Sequence, residues 1–182
     1  MNERLVDQPM RDLVQRMATS DPVPGGGSAA AMAGAMGAAL IHMVVELTIG
    51  RPGMESNARQ LTEVGVASAQ FQSELMSLVD ADAVAYGAVV QSRRLPNTTE
   101  REREIRVMHF NAAIREAVRA PLAVARAASE VLELATRLAP IGNRNAISDV
   151  GVGAMLASTS LRGAALNVEI NLPMVKGDEA LR

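Results

Sequence analysis

A chain of 182 residues with 48% hydrophobic and 21% charged side chains is long enough for one well-buried core and too apolar for disorder. One domain spanning 1–182 is therefore expected. Its 18 basic and 20 acidic residues leave a formal charge of −2, which excludes the basic footprint of a nucleic-acid binder, and the absence of cysteine excludes disulfides and thiolate metal sites.

The opening MNERLVDQPM mixes acids with bases and leads into no long apolar run, so no secretory signal is read and the cytoplasm is the default location. Aromatic residues make up 2% of the chain. A core built from Ala, Leu, Val, Ile and Met gains its contacts by close backbone approach, which favours helices on helices. The reading is all-α, a bundle of five to six helices around a buried Ala/Gly-rich helix.

Leu5, Met10, Leu13, Val14 and Met17 fall at roughly helical spacing, giving a first helix over Glu3 to Thr19 that Ser20-Asp21-Pro22 stops. The breaker cluster Pro22-Val23-Pro24-Gly25-Gly26-Gly27-Ser28 then feeds a long Ala/Gly/Met helix. Its Gly34, Gly37 and Ala38 let a neighbouring backbone approach closely, so this is expected to be the central, most buried helix. Ala29 to Val45 imitates a membrane span, but it is mostly Ala and Gly and is interrupted by His42, so a buried helix and no membrane is the reading.

Gly50-Arg51-Pro52-Gly53 ends that helix, and no proline occurs between Ser56 and Arg94. Leu61, Val64, Ser68, Phe71, Leu75, Leu78 and Asp82 follow one another at alternating steps of three and four, a helical seam. Leu95-Pro96 closes the helix, and Thr99-Glu100-Arg101-Glu102 fits a capping box for the next. Helical pattern runs from Glu100 to Leu138, with Pro121 expected to kink it or start a new helix, so two helices with a bend are predicted. Pro140 to Asn143 is a stop, Ser148-Asp149 an N-cap before a helix over Val150 to Asn167, and Asn171 to Arg182 a weakly patterned tail.

The seam carries the chemistry. Asp82 stands where six steps assign a core-facing leucine, whereas Asp80 lies about 200° around the helix and is expected to face water. Asp82 is then either the partner of a core-lining Arg, a polar position ending the stripe, or a general acid/base whose neutral form burial favours. The Gly25-Gly26-Gly27-Ser28 turn offers free amides to a carboxylate or phosphate, or simply lets backbones meet, and it lacks the Lys of a P-loop. Asn143, Asn145, Ser148 and Asp149 cluster at a helix start where capping explains at least two of them. Asn167 and Asn171 share a face if their helix continues that far. His42 and His109 have no companions at ligand spacing, so no metal site is read.

Several stretches, in order, resemble the cyclodeaminase domain of the formiminotransferase-cyclodeaminase family and its methenyltetrahydrofolate cyclohydrolase relatives. They are Pro22 to Ala30, Leu47 to Arg51, Val79 to Tyr86, Leu95-Pro96, Ala120 to Leu122, Gly142-Asn143, Ile147 to Val152 and Ala165 to Val168. The resemblance implies an all-helical homodimer with a folate site near the subunit interface. It also implies a catalytic role for the second Asp of Asp-Ala-Asp-Ala, which falls on Asp82, and no cofactor beyond the folate substrate. Substrate binding then falls to Gly25, Gly26, Gly27, Ser28, Arg51, Asn143, Ser148 and Asp149. The chain departs from the family at Met54, Gly87 and Asn97, where relatives often carry an aromatic, an acid and a Lys. The implied activity is methenyltetrahydrofolate cyclohydrolase or formimidoyltetrahydrofolate cyclodeaminase, with a lean to the former for a chain without a fused transferase. The alternative is a non-catalytic folate-binding or protein-interaction member of the same fold.

Overall fold

The computed structural model describes residues 4–176. Glu3, where the first predicted helix begins, and the tail from 177 to 182 lie outside the described residues. The elements are a 3-10 turn at Leu5–Asp7, then α1 (Met10–Met17), α2 (Gly26–Glu46), α3 (Ala58–Arg93), α4 (Glu100–Leu138) and α5 (Ile147–Asn171), followed by a 3-10 turn at Leu172–Met174. Among the described residues there is no strand. The all-α expectation holds, with five α-helices among the described residues.

Helices α2 to α5 run antiparallel to their neighbours in a closed ring, α2 on α3, α3 on α4, α4 on α5 and α5 back on α2. The small residues of α2 make this possible. A Cβ on Gly37 would stand 2.7 Å from the Gly153 carbonyl, and one on Gly34 would stand 2.6 Å from Ser160 Oγ. A larger share of α2 is buried than of any other helix. It is not wrapped on all sides, however, since Met36 and Met43 remain exposed.

Three predicted boundaries move, each for a local reason. The first helix is broken at Pro9, which sits extended as the N-cap of α1 and leaves Gln8 extended before it. Of its expected stripe only Leu5 and Leu13 are buried. Pro121 neither starts a helix nor divides α4, which is continuous over Glu100–Leu138. Proline removes the donor that should reach the Ala117 carbonyl four residues back, and Asn171 Nδ2 on α5 donates to that carbonyl instead, at 3.0 Å. Finally, α5 starts at Ile147 behind a 3-10 turn, so Ser148 and Asp149 lie in its first turn and do not cap it; Asn143 caps the 3-10 turn by accepting from Asn145 N. The capping box at Thr99 and Glu102 forms as read.

Unequal helix lengths position the site. The N-terminus of α2 meets α3 at Val79 and Asp82, and the end of α5 meets α4 at Ala117. Beyond those levels α3 continues for about 16 Å and α4 for about 25 Å at 1.5 Å per residue, unaccompanied by α2. A small second core of Val89, Ile114 and Val118, closed by Val175 folding back from the C-terminal side, holds this two-helix extension together.

Candidate active site

A cleft of about 450 Å³ opens where the four-helix ring becomes a two-helix extension. The Pro22–Gly27 turn forms one wall, and Asp82, Tyr86 and Arg93 on α3 form another. Ala117 of α4 and Asn167, Ile170 and Asn171 of α5 complete it, with Met174 at its edge.

Asp82 ends the buried seam as expected: Leu61, Val64, Ser68 and Leu75 are fully buried and Asp82 is half-buried. Its partners come from the first turn of α2. Ser28 Oγ lies 3.1 Å from Asp82 Oδ2 and 3.0 Å from the Val79 carbonyl, and the Ser28 amide also favours the charged carboxylate. No side chain caps α2 at Gly25, so a carboxylate from another helix meets its positive end. Burial raises the Asp82 pKa above its ordinary value, with the Ser28 hydrogen bonds pulling against that shift.

Gly27 is a steric requirement of this arrangement. A Cβ there would collide with the Asp82 carboxyl group, so only glycine lets the turn and the carboxylate touch. Gly26 faces the Asn167 side-chain amide, but an ideal Cβ there would stand 3.6 Å from Nδ2, an ordinary contact. Asn167 Nδ2 donates to Gly163 O at 2.8 Å, which fixes the side chain on the cleft wall.

The sequence-derived residues divide into two groups. Gly25, Gly26, Gly27 and Asp82 line the cleft, while Ser28, fully buried, reaches it only through Asp82. Arg51, Asn143, Ser148 and Asp149 do not share this cleft. Asn143 N donates to Thr48 Oγ1 at the far end of α2, and 20 helical steps separate that end from Gly26, or about 30 Å. Asp80 does not face water either: it accepts from Leu5 N at 2.6 Å and pairs with Arg4 at 3.2 Å, tying the N-terminal segment to α3.

Tyr86 and Arg93 were missed, although a helical wheel places them about 40° and 20° from Asp82 on the same face. Extending the seam past Asp82 finds both.

Fold and cleft define a class: an all-α bundle with a half-buried carboxylate held at a glycine-rich helix start. The family model for formiminotransferase-cyclodeaminase matches residues 9–182, and the chain belongs to that family. It is 41% identical over 155 residues to the methenyltetrahydrofolate cyclohydrolase of Methylorubrum extorquens, covering 85% of this chain and 74% of that one. It is 38% identical to the mouse formimidoyltransferase-cyclodeaminase over 97% of its own length, spanning 32% of that longer protein. The crystal structure of a formiminotetrahydrofolate cyclodeaminase from Thermotoga maritima superposes with a TM-score of 0.84 at 27% identity, over 97% of this chain and 83% of that one.

Proposed function

We propose that this chain is a cytoplasmic folate one-carbon enzyme acting on the N5/N10 unit of tetrahydrofolate, with Asp82 as general acid/base. The observation that carries the reading is the half-buried Asp82 carboxyl group, exposed to the cleft on one side and held by Ser28 on the other. The activities for which the relatives are named supply the substrate class.

In the hydrolytic reaction, water adds to the carbon of the 5,10-methenyl bridge while Asp82 takes one of its protons. The bond from that carbon to N5 then breaks as Asp82 returns the proton to N5, the second water proton leaves to solvent, and 10-formyltetrahydrofolate remains. In the deaminating reaction, N10 attacks the carbon of the protonated formimino group on N5, Asp82 takes the N10 proton and returns it to the amino nitrogen, and the bond from carbon to that nitrogen breaks to release ammonia and leave the 5,10-methenyl bridge. A raised pKa suits both, because the group must hold and release a proton within one cycle. Ser28 serves both states: its hydroxyl proton turns to the carboxylate when Asp82 is charged, and to the Val79 carbonyl when Asp82 is protonated. The folate is the substrate, and no further cofactor is invoked. The higher identity to a cyclohydrolase favours water as the nucleophile.

The enzyme is read as a homodimer. An exposed apolar stripe of Met36 and Met43 on α2, continued by Leu47 just past its end, lies with Met155, Leu166 and Ile170 on α5, a face suited to a second copy. A two-fold axis across α2 reverses the partner helix. In this reading the substrate-binding role expected of Arg51, Asn143, Ser148 and Asp149 is exerted across the interface, one copy serving the Asp82 cleft of the other. Met43→Glu with Met155→Glu is expected to yield a monomer by light scattering with much reduced activity; an unchanged dimer removes this face from the reading.

The activity is tested by following the 5,10-methenyl absorbance with methenyl- and formimino-tetrahydrofolate supplied separately. Enzyme-dependent loss of the bridge identifies a cyclohydrolase, and its formation from the formimino compound a cyclodeaminase. No change with either, from folded protein, overturns the enzymatic reading.

A further inference from the structure

Among the described residues that line the cleft, Arg93 is the one charged side chain besides Asp82. It lies eleven residues further along α3, about 16 Å up the axis and about 20° around it, on the same face. Its guanidinium sits 5.5 Å from the centroid of the Phe110 ring, and Nη2 approaches Met174 Sδ at 3.6 Å. Among the described residues no carboxylate stands within ion-pair distance of it, whereas Arg59, Arg103 and Arg137 each pair with a glutamate. A ring and a thioether hold the group in place without neutralising it, and they leave donors of its planar fork for an incoming oxyanion.

We infer that Arg93 is a specificity-determining residue that receives the carboxylates of the substrate's glutamyl end. This rests on the folate reading above. The cleft is polar along its length, anionic at Asp82 and cationic at Arg93. A methenyl- or formimino-folate is polar in the matching sense, with a cationic one-carbon centre at one end and carboxylates beyond the benzoyl ring at the other. Complementarity of this kind fixes the direction of binding and delivers the one-carbon unit to Asp82. As the last-turn base of α3, Arg93 also faces the helix dipole, a structural role that the test must separate.

The probes are 5-formyltetrahydrofolate and its analogue ending in a neutral benzamide, titrated calorimetrically into wild type, Arg93→Gln and Arg93→Lys. Arg93→Gln is expected to weaken the glutamate-ended ligand about 10- to 100-fold, the loss of a charge-assisted hydrogen-bonded pair, and to leave the benzamide unaffected. Arg93→Lys recovers part of the loss. In turnover, KM for the methenyl substrate rises by the same factor and kcat stays within about threefold. Equal affinity of wild type for the two ligands, an equal loss for both in Arg93→Gln, or no binding of either overturns the inference. Normal turnover that is insensitive to Arg93 also overturns it while the activity stands. Arg93-dependent binding without turnover upholds it while the activity falls.

Discussion

The two ends of α2 look alike in sequence, each a glycine-containing turn beside polar residues, and they are built for different ends. At the C-terminal end the buried hydroxyl and the glycines of the turn serve the local structure. Gly50 and Gly53 take φ of 76° and 83°, and Thr48 Oγ1, fully buried, donates to Val44 O and accepts from Asn143 N. At the N-terminal end no side chain of the local turn caps the helix, and the group that meets its amides is Asp82 from α3. The difference shows that a glycine turn becomes a candidate site when a tertiary neighbour leaves a titratable group beside it, half-buried and open to a cleft.

The largest effect is expected from Gly27→Ala, which has no counterpart at the other end. Its methyl group collides with the Asp82 carboxyl, and a displacement on the order of 1 Å should lower kcat about 100-fold while the helical circular dichroism spectrum is retained. An active Gly27→Ala enzyme would erase the distinction between the two turns. At the opposite end, Thr48→Val should be read in stability, with a lower denaturant midpoint and a cost of about 1–3 kcal/mol for the buried groups left unpaired. Asn171→Leu tests the floor of the cleft by a similar loss, because it orphans the Ala117 carbonyl that Pro121 leaves without a donor.

A subtler contrast lies in pH dependence. Asp82 has a folded pKa above its unfolded value, so the native state holds the extra proton and the group's contribution to stability falls as pH rises from the unfolded value through the folded one. Asp82→Asn should remove that slope in urea midpoints measured across the window. Glu102 has the opposite sign: amide donors from Thr99 lower its pKa, so its contribution is present above the ordinary carboxylate value and is lost as pH falls through the depressed one. The smallest expected change is that of Thr99→Ala, about 1 kcal/mol from the exposed capping box, with activity unchanged.

Much of this was legible from periodicity. The alternating steps from Leu61 onward gave α3 its buried face and placed Asp82 at its end, and the capping signature at Thr99 located the start of α4 to the residue. What escaped depended on partners distant in sequence. Nothing near Pro121 reveals that Asn171, 50 positions later, will satisfy the carbonyl the proline orphans and keep α4 whole. Asp80 reads as a solvated acid until the chain's first turn folds back to donate to it. Arg51, Asn143, Ser148 and Asp149 were grouped with the glycine turn through the family resemblance, which carries no distance, and α2 separates them by about 30 Å within one chain. Pro9 is a simpler miss, a local breaker overlooked within a plausible apolar stripe.

The central claim is that Asp82 moves the proton, and it is tested most directly by wild type and Asp82→Asn compared on 5,10-methenyl- and 5-formimino-tetrahydrofolate, with the fold of both verified by circular dichroism. The amide keeps the shape and loses the proton transfer, so the account expects kcat to fall about 10²–10⁴-fold on whichever folate the wild type turns over. Turnover by Asp82→Asn at the wild-type rate would contradict it and leave the carboxylate as no more than the cap of α2.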